Sequence, residues 1–414
     1  MIIKSLSELS VNISSGLTPL RSNADFWDNG SIPWLKTEQL GEKYIYETNE
    51  YISELALEKT SIKLFPENSL SIAMYGEGKT RGNLSILKKA MATNQACCNV
   101  IIDPEKADFE YIYYFLKTQY EDLRNLSSGV RKNLNSNDIK NYPIHLPENL
   151  LTQRMIANVL KALDDKIELN NRINAELEAM VKTLYDYWFV QFDFPDANGK
   201  PYKSSGGKMV YNPVLKREIP EGWEASKIGA LEPNIVTGKT PSKNNPSYFD
   251  GNVPFITIGD IRGNTFITST EETLTESGAA TQKNKFLPEG SICVSCIASP
   301  GLVGFVVGQA QTNQQINSII CSEEQNKYFM FFSIKSYFDG AKAKTGNTFA
   351  NMNKSDFSGI VILKPNKDTL IAYHNFVSPL FNKIKNCSLE NLALIKLRDW
   401  LLPMLMNGQV TVVD

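Results

Sequence analysis

The sequence predicts an α+β protein: two similar mixed α/β blocks separated by two long helices that form an antiparallel coiled coil, the whole an internal repeat of pseudo-twofold symmetry. Three observations predict it. A heptad-like apolar repeat is sustained over residues 153–192 and returns near the C-terminus. The two copies of that repeat are separated by one constant offset. Short motifs also recur, in the same order, in the stretches that precede the two helices.

In the first helix the seam falls at Ile156, Leu160, Leu163, Ile167, Asn170, Asn174, Leu177, Val181, Leu184 and Trp188. Steps alternating between four and three mean a 3.5-residue period, the mark of a coiled-coil seam and not of an ordinary core helix. At about 1.5 Å a residue the helix would be roughly 57 Å long, too long for one compact domain. Asparagines in such a seam lower stability but fix register and partner. The mate is in the same chain, at Val377, Leu380, Ile384, Cys387, Asn391, Leu394, Arg398, Leu401 and Leu405. Ile167 and Ile384, Asn174 and Asn391, Leu184 and Leu401 are each 217 residues apart. Arg398, in the position that corresponds to Val181, is the clearest departure. Pro379 is expected to start or bend the second helix, and Pro403 to fray its end.

A chain of 414 residues is long enough for two or three domains with filled cores. With 42% hydrophobic and 21% charged residues it reads as an ordinary soluble protein. No apolar run is long enough to span a membrane, and MIIKSLSELS lacks a signal-peptide core, so the expected location is the cytoplasm. The net charge of −2 argues against indiscriminate coating of nucleic acid, while leaving room for a reader with local basic groups.

The first block covers residues 1–150, with short β-rich runs at Ile32, Ser69, Asn83 and Cys97 and a helical patch from Phe109 to Leu126. Residues 151–192 are the first long helix. Residues 193–222 are a Gly-, Pro-, Ser- and Lys-rich linker, whose aromatics Phe194, Tyr202 and Tyr211 point to a segment tacked onto the surface. The second block is 223–368 and the second helix 369–409. Gly16-Leu-Thr-Pro19 matches Gly238-Lys-Thr-Pro241, and Pro66-Glu-Asn-Ser69 matches Pro288-Glu-Gly-Ser291. Thr93-Asn-Gln95 likewise matches Thr312-Asn-Gln314. The order is kept while the residues between diverge, as expected when one scaffold carries two surfaces.

Nothing in the sequence looks catalytic, and no metal or cofactor site is expected. Gly78-Lys-Thr80 and Gly238-Lys-Thr240 lack the upstream glycine of a phosphate loop, having Ala73 and Pro233 instead. Cys293 and Cys296 have metal-like spacing but no second pair of ligands, and read as strand interior. Asn245-Pro-Ser-Tyr248 approaches an amino-methyltransferase motif, but turn chemistry explains it and no methyl-donor loop precedes it. Pro195-Asp196 is followed by no nuclease-type Glu-x-Lys. The two histidines, His145 and His374, lie far apart, each in an apolar setting.

Block, helix, linker, block, helix: this resembles the specificity subunit of type I restriction–modification enzymes over essentially the whole chain. The specific parts are Leu163-Asp-Asp-Lys-Ile-Glu-Leu-Asn-Asn171 through Tyr187-Trp-Phe189, then Gly199-Lys-Pro-Tyr-Lys-Ser-Ser-Gly-Gly207 and Ile219-Pro-Glu-Gly-Trp223. The ending Leu397-Arg-Asp-Trp-Leu-Leu-Pro-Met-Leu-Met-Asn-Gly408 also fits, where the family often has a small residue in place of Asn407. The resemblance implies a non-catalytic subunit whose blocks are target recognition domains, each reading half of a bipartite double-stranded DNA sequence. It implies two methyltransferase subunits as partners, joined by ATP-dependent translocating restriction subunits; methyl donor and ATP then belong to those partners. The alternatives are the specificity subunit of a fused nuclease–methyltransferase system and a coiled-coil adaptor with no DNA role.

For base reading, the residue types to look for are Arg, Lys, Asn and Gln on loops. In the first block these are Lys79, Arg81, Asn83, Arg131, Lys132 and Asn133. In the second they are Lys342, Lys344, Asn347, Thr348 and Asn351. The counterpart of the Lys79 loop, Ser299-Pro-Gly-Leu-Val303, is uncharged, so the blocks are expected to prefer different bases. Thr93-Asn-Gln95 and Thr312-Asn-Gln314, being shared, are expected to be scaffold.

Overall fold

The computed structural model describes residues 1–76, 80–126, 133–345 and 351–412. The chain divides into two compact units, Met1–Lys166 with Leu394–Asp414, and Ile167–Ala393. Among the described residues no helix is long and apolar enough to cross a membrane.

The long helices begin where side chains cap them. Asn149 accepts from the Leu151 N–H at 2.8 Å, and Asn366 accepts from the Thr369 N–H at 2.9 Å, so the helices run over Leu150–Tyr185 and Lys367–Met406. The two caps are themselves 217 residues apart. The first helix therefore starts at Leu150, before the apolar repeat begins at Gln153, because a short polar side chain that satisfies the orphaned N–H groups sets the start. It does not continue in regular form to residue 192. Over Asp186–Val190 it widens by one residue per turn, the Gln191 N–H reaching Asp186 O at 2.8 Å. It ends at Phe192, a buried non-glycine residue with φ of 69°.

The second helix passes unbroken through Pro379, against the expectation that it starts or bends there. Proline in a helix interior costs about 3 kcal/mol. Here Pro379 is exposed, while Val377 and Phe381 on either side of it are fully buried, and their packing carries the helix through. The helix likewise continues past Pro403 to Met406, and Gly408, with φ of 70°, closes it.

In the second unit the helices run antiparallel, and polar groups fix their register. Asn170 Nδ2 donates to Asn391 Oδ1 at 2.9 Å and to Glu390 Oε2 at 2.8 Å. Asn391 Nδ2 donates to Asn171 Oδ1 at 2.7 Å, and Asn174 Nδ2 to Ser388 Oγ at 3.2 Å. Asn391 thus meets Asn170 and not its repeat equivalent Asn174. Val181, Val377, Ile384 and Cys387 are buried in this unit, and Ile167, Leu177, Leu184 and Leu380 half-buried. In the first unit Ile156, Leu160 and Leu405 are buried in the core of the block, with Leu163, Leu394 and Leu401 half-buried.

The blocks share one strand plan. In the first, a five-stranded sheet has the order Ser10–Ser15, Cys97–Ile102, Leu70–Ala73, Leu84–Leu87, Tyr44–Ile45. In the second the order is Ile235–Thr237, Ile316–Ile319, Ile292–Ser295, Val303–Val306, Phe266–Ile267. The last pair is parallel in each, Tyr44 facing Ile86 and Phe266 facing Phe305; the other pairs are antiparallel. Each block adds a three-stranded sheet, Glu50–Ile52, Ile32–Leu35, Ala92–Thr93 and Glu272–Leu274, Phe249–Ile256, Gln311–Thr312. Each also has a two-stranded ribbon, Ile2–Ser5 with Pro143–Leu146 and Glu224–Lys227 with Val361–Lys364. The intervening segment makes a hairpin, Met209–Asn212 with Arg217–Pro220, and Phe194 stacks between Tyr202 and Trp223 with centroids 4.7 and 4.8 Å away.

The recurring motifs hold these sheets together. The Leu17 N–H donates to Thr93 O at 2.9 Å and the Lys239 N–H to Thr312 O at 3.0 Å; Thr18 bonds Gln95, and Thr240 Oγ1 bonds Gln314 Oε1 at 2.5 Å. A Cβ on Gly16 would lie 2.1 Å from Thr93 O, and one on Gly238 would lie 2.2 Å from Thr312 Oγ1. The Gly-x-Thr-Pro and Thr-Asn-Gln motifs are two halves of one clasp, which is why they recur together.

What differs is how each block grips its helices. In the first unit the contact around Lys43 is polar. Lys43 Nζ lies 3.1 Å from Glu110 and 2.7 Å from Tyr114 Oη; Tyr114 donates to Asp164 at 2.5 Å, and Arg398 Nη1 donates to Asp164 at 2.9 Å. Burial pulls the Lys43 ammonium below the usual lysine range, against the pull of Glu110 and Asp164. In the second unit the equivalent positions are aromatic or small: Tyr328 for Glu110, Phe332 for Tyr114, Phe381 for Asp164, Thr265 for Lys43 and Val181 for Arg398. Phe381 stacks on Tyr328, centroids 4.1 Å apart and 7° from parallel, with Phe305 edge-on at 5.7 Å.

Candidate nucleic-acid interface

In each block the described ends of two loops come together, and some of the candidate residues lie on them. In the first block the strands Leu70–Ala73 and Leu84–Leu87 are joined by a loop containing Arg81. The Leu134 N–H donates to Met74 O at 3.2 Å and pins Leu134 at the end of the strand Leu70–Ala73. Gly82, with φ of 85°, lies under the helix Tyr120–Asn125; a Cβ there would be 2.9 Å from Arg124 Cγ. Glycine permits both the left-handed backbone and the close approach.

The second block repeats the device. The Met352 N–H donates to Cys296 O at 2.9 Å, and Gly301, with φ of 92°, lies against Phe338, the counterpart of Tyr120. Asn351 Oδ1 accepts from the Ala298 N–H at 3.4 Å, tying the two loops by a side chain as well.

The individual candidates fall into distinct groups. Arg81 and Asn133 are half-buried on the first loop pair. Asn83 is turned inward, its amide donating to Leu40 O at 3.2 Å, which gives it a structural task. Asn351 is exposed and Lys342 half-buried on the helix Lys327–Thr345, which also carries Lys344. Lys79, Arg131, Lys132, Asn347 and Thr348 lie outside the described residues.

Two cations were missed by the sequence reading. Arg124 stacks on Tyr120, 5.3 Å from the ring centroid, beside the Arg81 loop. Arg262, exposed after the short helix Ile258–Ile261, donates to Ser299 Oγ at 3.4 Å. The Ser299 loop is uncharged in sequence but borrows a guanidinium from a segment some forty positions upstream. Tyr120 and Arg124 at helical spacing were the only local signal for the first; nothing local marks the second.

The residues set aside on sequence grounds sit in ordinary structural settings. Cys293 and Cys296 are buried, and burial pushes their thiols up to about 12 and about 11. Among the described residues no three His, Cys, Asp or Glu side chains group to hold a metal ion. His374 is half-buried and stacks on Tyr328 at 5.0 Å. His145 is exposed, contrary to its apolar sequence context, because it points outward from the edge ribbon while Ile144 and Leu146 point in.

A duplicated α/β scaffold that holds two differently furnished loop pairs, each block locked onto its own stretch of long helix, defines a two-headed recognition protein. Residues 3–179 and 220–393 each match the type I restriction modification DNA specificity domain. The chain belongs to the family of type I restriction–modification specificity subunits, which are recognition components and not the catalytic ones. It is 32% identical over 335 residues to the HindI specificity subunit of Haemophilus influenzae, covering 68% of this chain and 72% of the relative. It is 28% identical over 428 residues to the MjaIX specificity subunit of Methanocaldococcus jannaschii, covering 100% and 94%. Its fold is similar to that of the type I S subunit from M. genitalium, with a TM-score of 0.60 at 16% identity over 98% of this chain and 95% of that one.

Proposed function

We propose that each block is a target recognition domain that reads one half of a bipartite double-stranded DNA sequence through its loop pair. The observation that carries this reading is the contrast between a common clasp, shared motif for motif, and loop pairs whose side chains differ: Arg81, Arg124 and Asn133 on one, Arg262, Lys342 and Asn351 on the other. Base contacts specify and phosphate contacts position, so divergent loops on a constant frame suit two different half-sites. The long helices set the number of unread base pairs between the half-sites. One added helical turn of about 5.4 Å would widen that gap by one to two base pairs of about 3.4 Å. The helices also dock two methyltransferase subunits, and ATP-dependent restriction subunits join the assembly; the chemistry resides in those partners.

The test is adenine methylation mapping in cells that express this chain with its cognate methyltransferase, against cells with the methyltransferase alone. A bipartite motif with a fixed gap, present only with this chain, is the expected result. Arg81→Ala should relax one base of one half-site by about 1–3 kcal/mol of discrimination and leave the other half-site intact. A continuous motif, or methylation indifferent to this chain, would overturn the reading.

A further inference from the structure

The exchange of Lys43 and Arg398 for Thr265 and Val181 leaves a hole. In the second unit a cavity of about 240 Å³ opens beside the first long helix, lined by Val181, Phe331, Phe332 and Phe381 within and by Glu178, Lys182, Lys335 and Asp339 at the rim. Thr265 is also in the wall. In the first unit the equivalent space holds the chain's own cations: Lys43 Nζ lies 4.6 Å from the Tyr114 ring centroid, and Arg398 reaches Asp164.

The geometry points to a docking site for one cationic side chain, arginine or lysine, carried by a protein that assembles on the long helices. This rests on the reading of the chain as an assembly subunit. The cavity is smaller than the roughly 300–1,000 Å³ of small-molecule pockets and fits a single side chain. Its aromatic walls suit an alkyl stem and the face of a guanidinium. The rim is biased toward a cation once existing bonds are counted. Lys182 is paired with Asp186, and Lys335 lies over Phe331, 5.1 Å from its centroid. Glu178 accepts a single hydrogen bond, from Thr265 Oγ1 at 2.5 Å, while exposed Asp339 has no bonded partner among the described residues. Two carboxylates therefore face the opening with acceptor capacity to spare. The first unit fills this position internally, so the site belongs to one half of the repeat alone.

The experiment measures binding of the purified cognate methyltransferase to the intact chain by analytical ultracentrifugation. Val181→Arg copies the first-half residue into the hole, and Asp339→Lys reverses the rim charge at an exposed position where folding is not at stake. Each is expected to weaken uptake of one methyltransferase by about tenfold or more, as losses at desolvated anchor pockets do. Glu178→Gln combined with Asp339→Asn should weaken it as well, since a cation loses its counter-charges. Binding within twofold of wild type for Asp339→Lys would overturn the proposal. Loss with Val181→Arg but none with the neutralised rim would also overturn it, in favour of an apolar anchor. A wild-type chain that takes up no methyltransferase would refute the assembly reading and this site with it.

Discussion

Replacing Asp164 by alanine removes the acceptor of hydrogen bonds from both Arg398 and Tyr114 and leaves Lys43 and Arg398 facing the gap. Their side chains are 10% and 29% exposed; Lys43 keeps its ion pair with Glu110 at 3.1 Å, so Arg398 is the cation that loses its buried partner, with partial access to water and to Asp399 at 2.8 Å. Breaking a buried pair costs ~3–5 kcal/mol, and Arg398's escape route places this case near the lower end. Phe381→Ala at the equivalent position should cost a similar ~3–5 kcal/mol, but by cavity formation and lost ring packing. The second substitution separates the mechanisms. Arg398→Ala in the Asp164→Ala background should recover about 1–2 kcal/mol by removing a stranded cation. Val181→Ala in the Phe381→Ala background should add further loss. Hydrogen exchange read by mass spectrometry under urea, on peptides from Phe109–Thr118 and from Lys327–Thr345, assigns each effect to its unit. If Arg398→Ala deepens the Asp164→Ala defect, or if both pairs respond with the same sign, the account of two differently built junctions is wrong.

Asn170→Leu with Asn391→Leu should raise the thermal midpoint while loosening register; spin labels at Arg172 and Leu389 should then report a broadened distance distribution in place of a single narrow one. Gly238→Ala drives a Cβ into Thr312 and should cost about 1–3 kcal/mol by urea titration, whereas Gly199→Ala, with open space around it, should not cost more than the strain of its φ of 74°. Burial lowers the His374 pKa below its ordinary value. The unfolded chain therefore binds the proton first on acidification, so stability is present above the ordinary histidine pKa and is lost as pH falls through that value toward the lowered one. His374→Phe should flatten this part of the stability–pH curve; an unchanged slope between pH 7 and 5 would refute the assignment.

The helices and the duplication were legible because their signals are long: a seam sustained over many turns and a 217-residue offset leave few alternative readings. The family resemblance rested on stretches of the two helices together with the linker motifs Gly199–Gly207 and Ile219–Trp223. Helix starts were less legible, since Asn149 and Asn366 resemble any polar loop residue until the first turn closes over them. Pro379 misled because a local rule was applied where Val377 and Phe381 packing overrides it. The grip on the helices could not be read at all. Arg398 stood out as a departure from the repeat, but Asp164 in a charged stretch looks like a solvated face until Lys43 and Tyr114 arrive from distant elements. The loop pairs depend in the same way on contacts such as Leu134 with Met74, and Arg262 reaches Ser299 only through the tertiary fold.

The unlike junctions bear on how such a chain can be rearranged by recombination. The compatible piece is not the strand-built block alone but the block plus the residues at 164 and 398, or at 381 and 181, that receive it. A block moved from the first position to the second without those residues would bring Lys43 and Glu110 against Phe381 and Val181, which offer neither a carboxylate nor a hydrogen-bond partner. A block exchanged together with position 164 or 381, in the long helix that follows it, keeps one of the two receiving residues of its junction, so inheritance of a recognition surface is tied to inheritance of its socket.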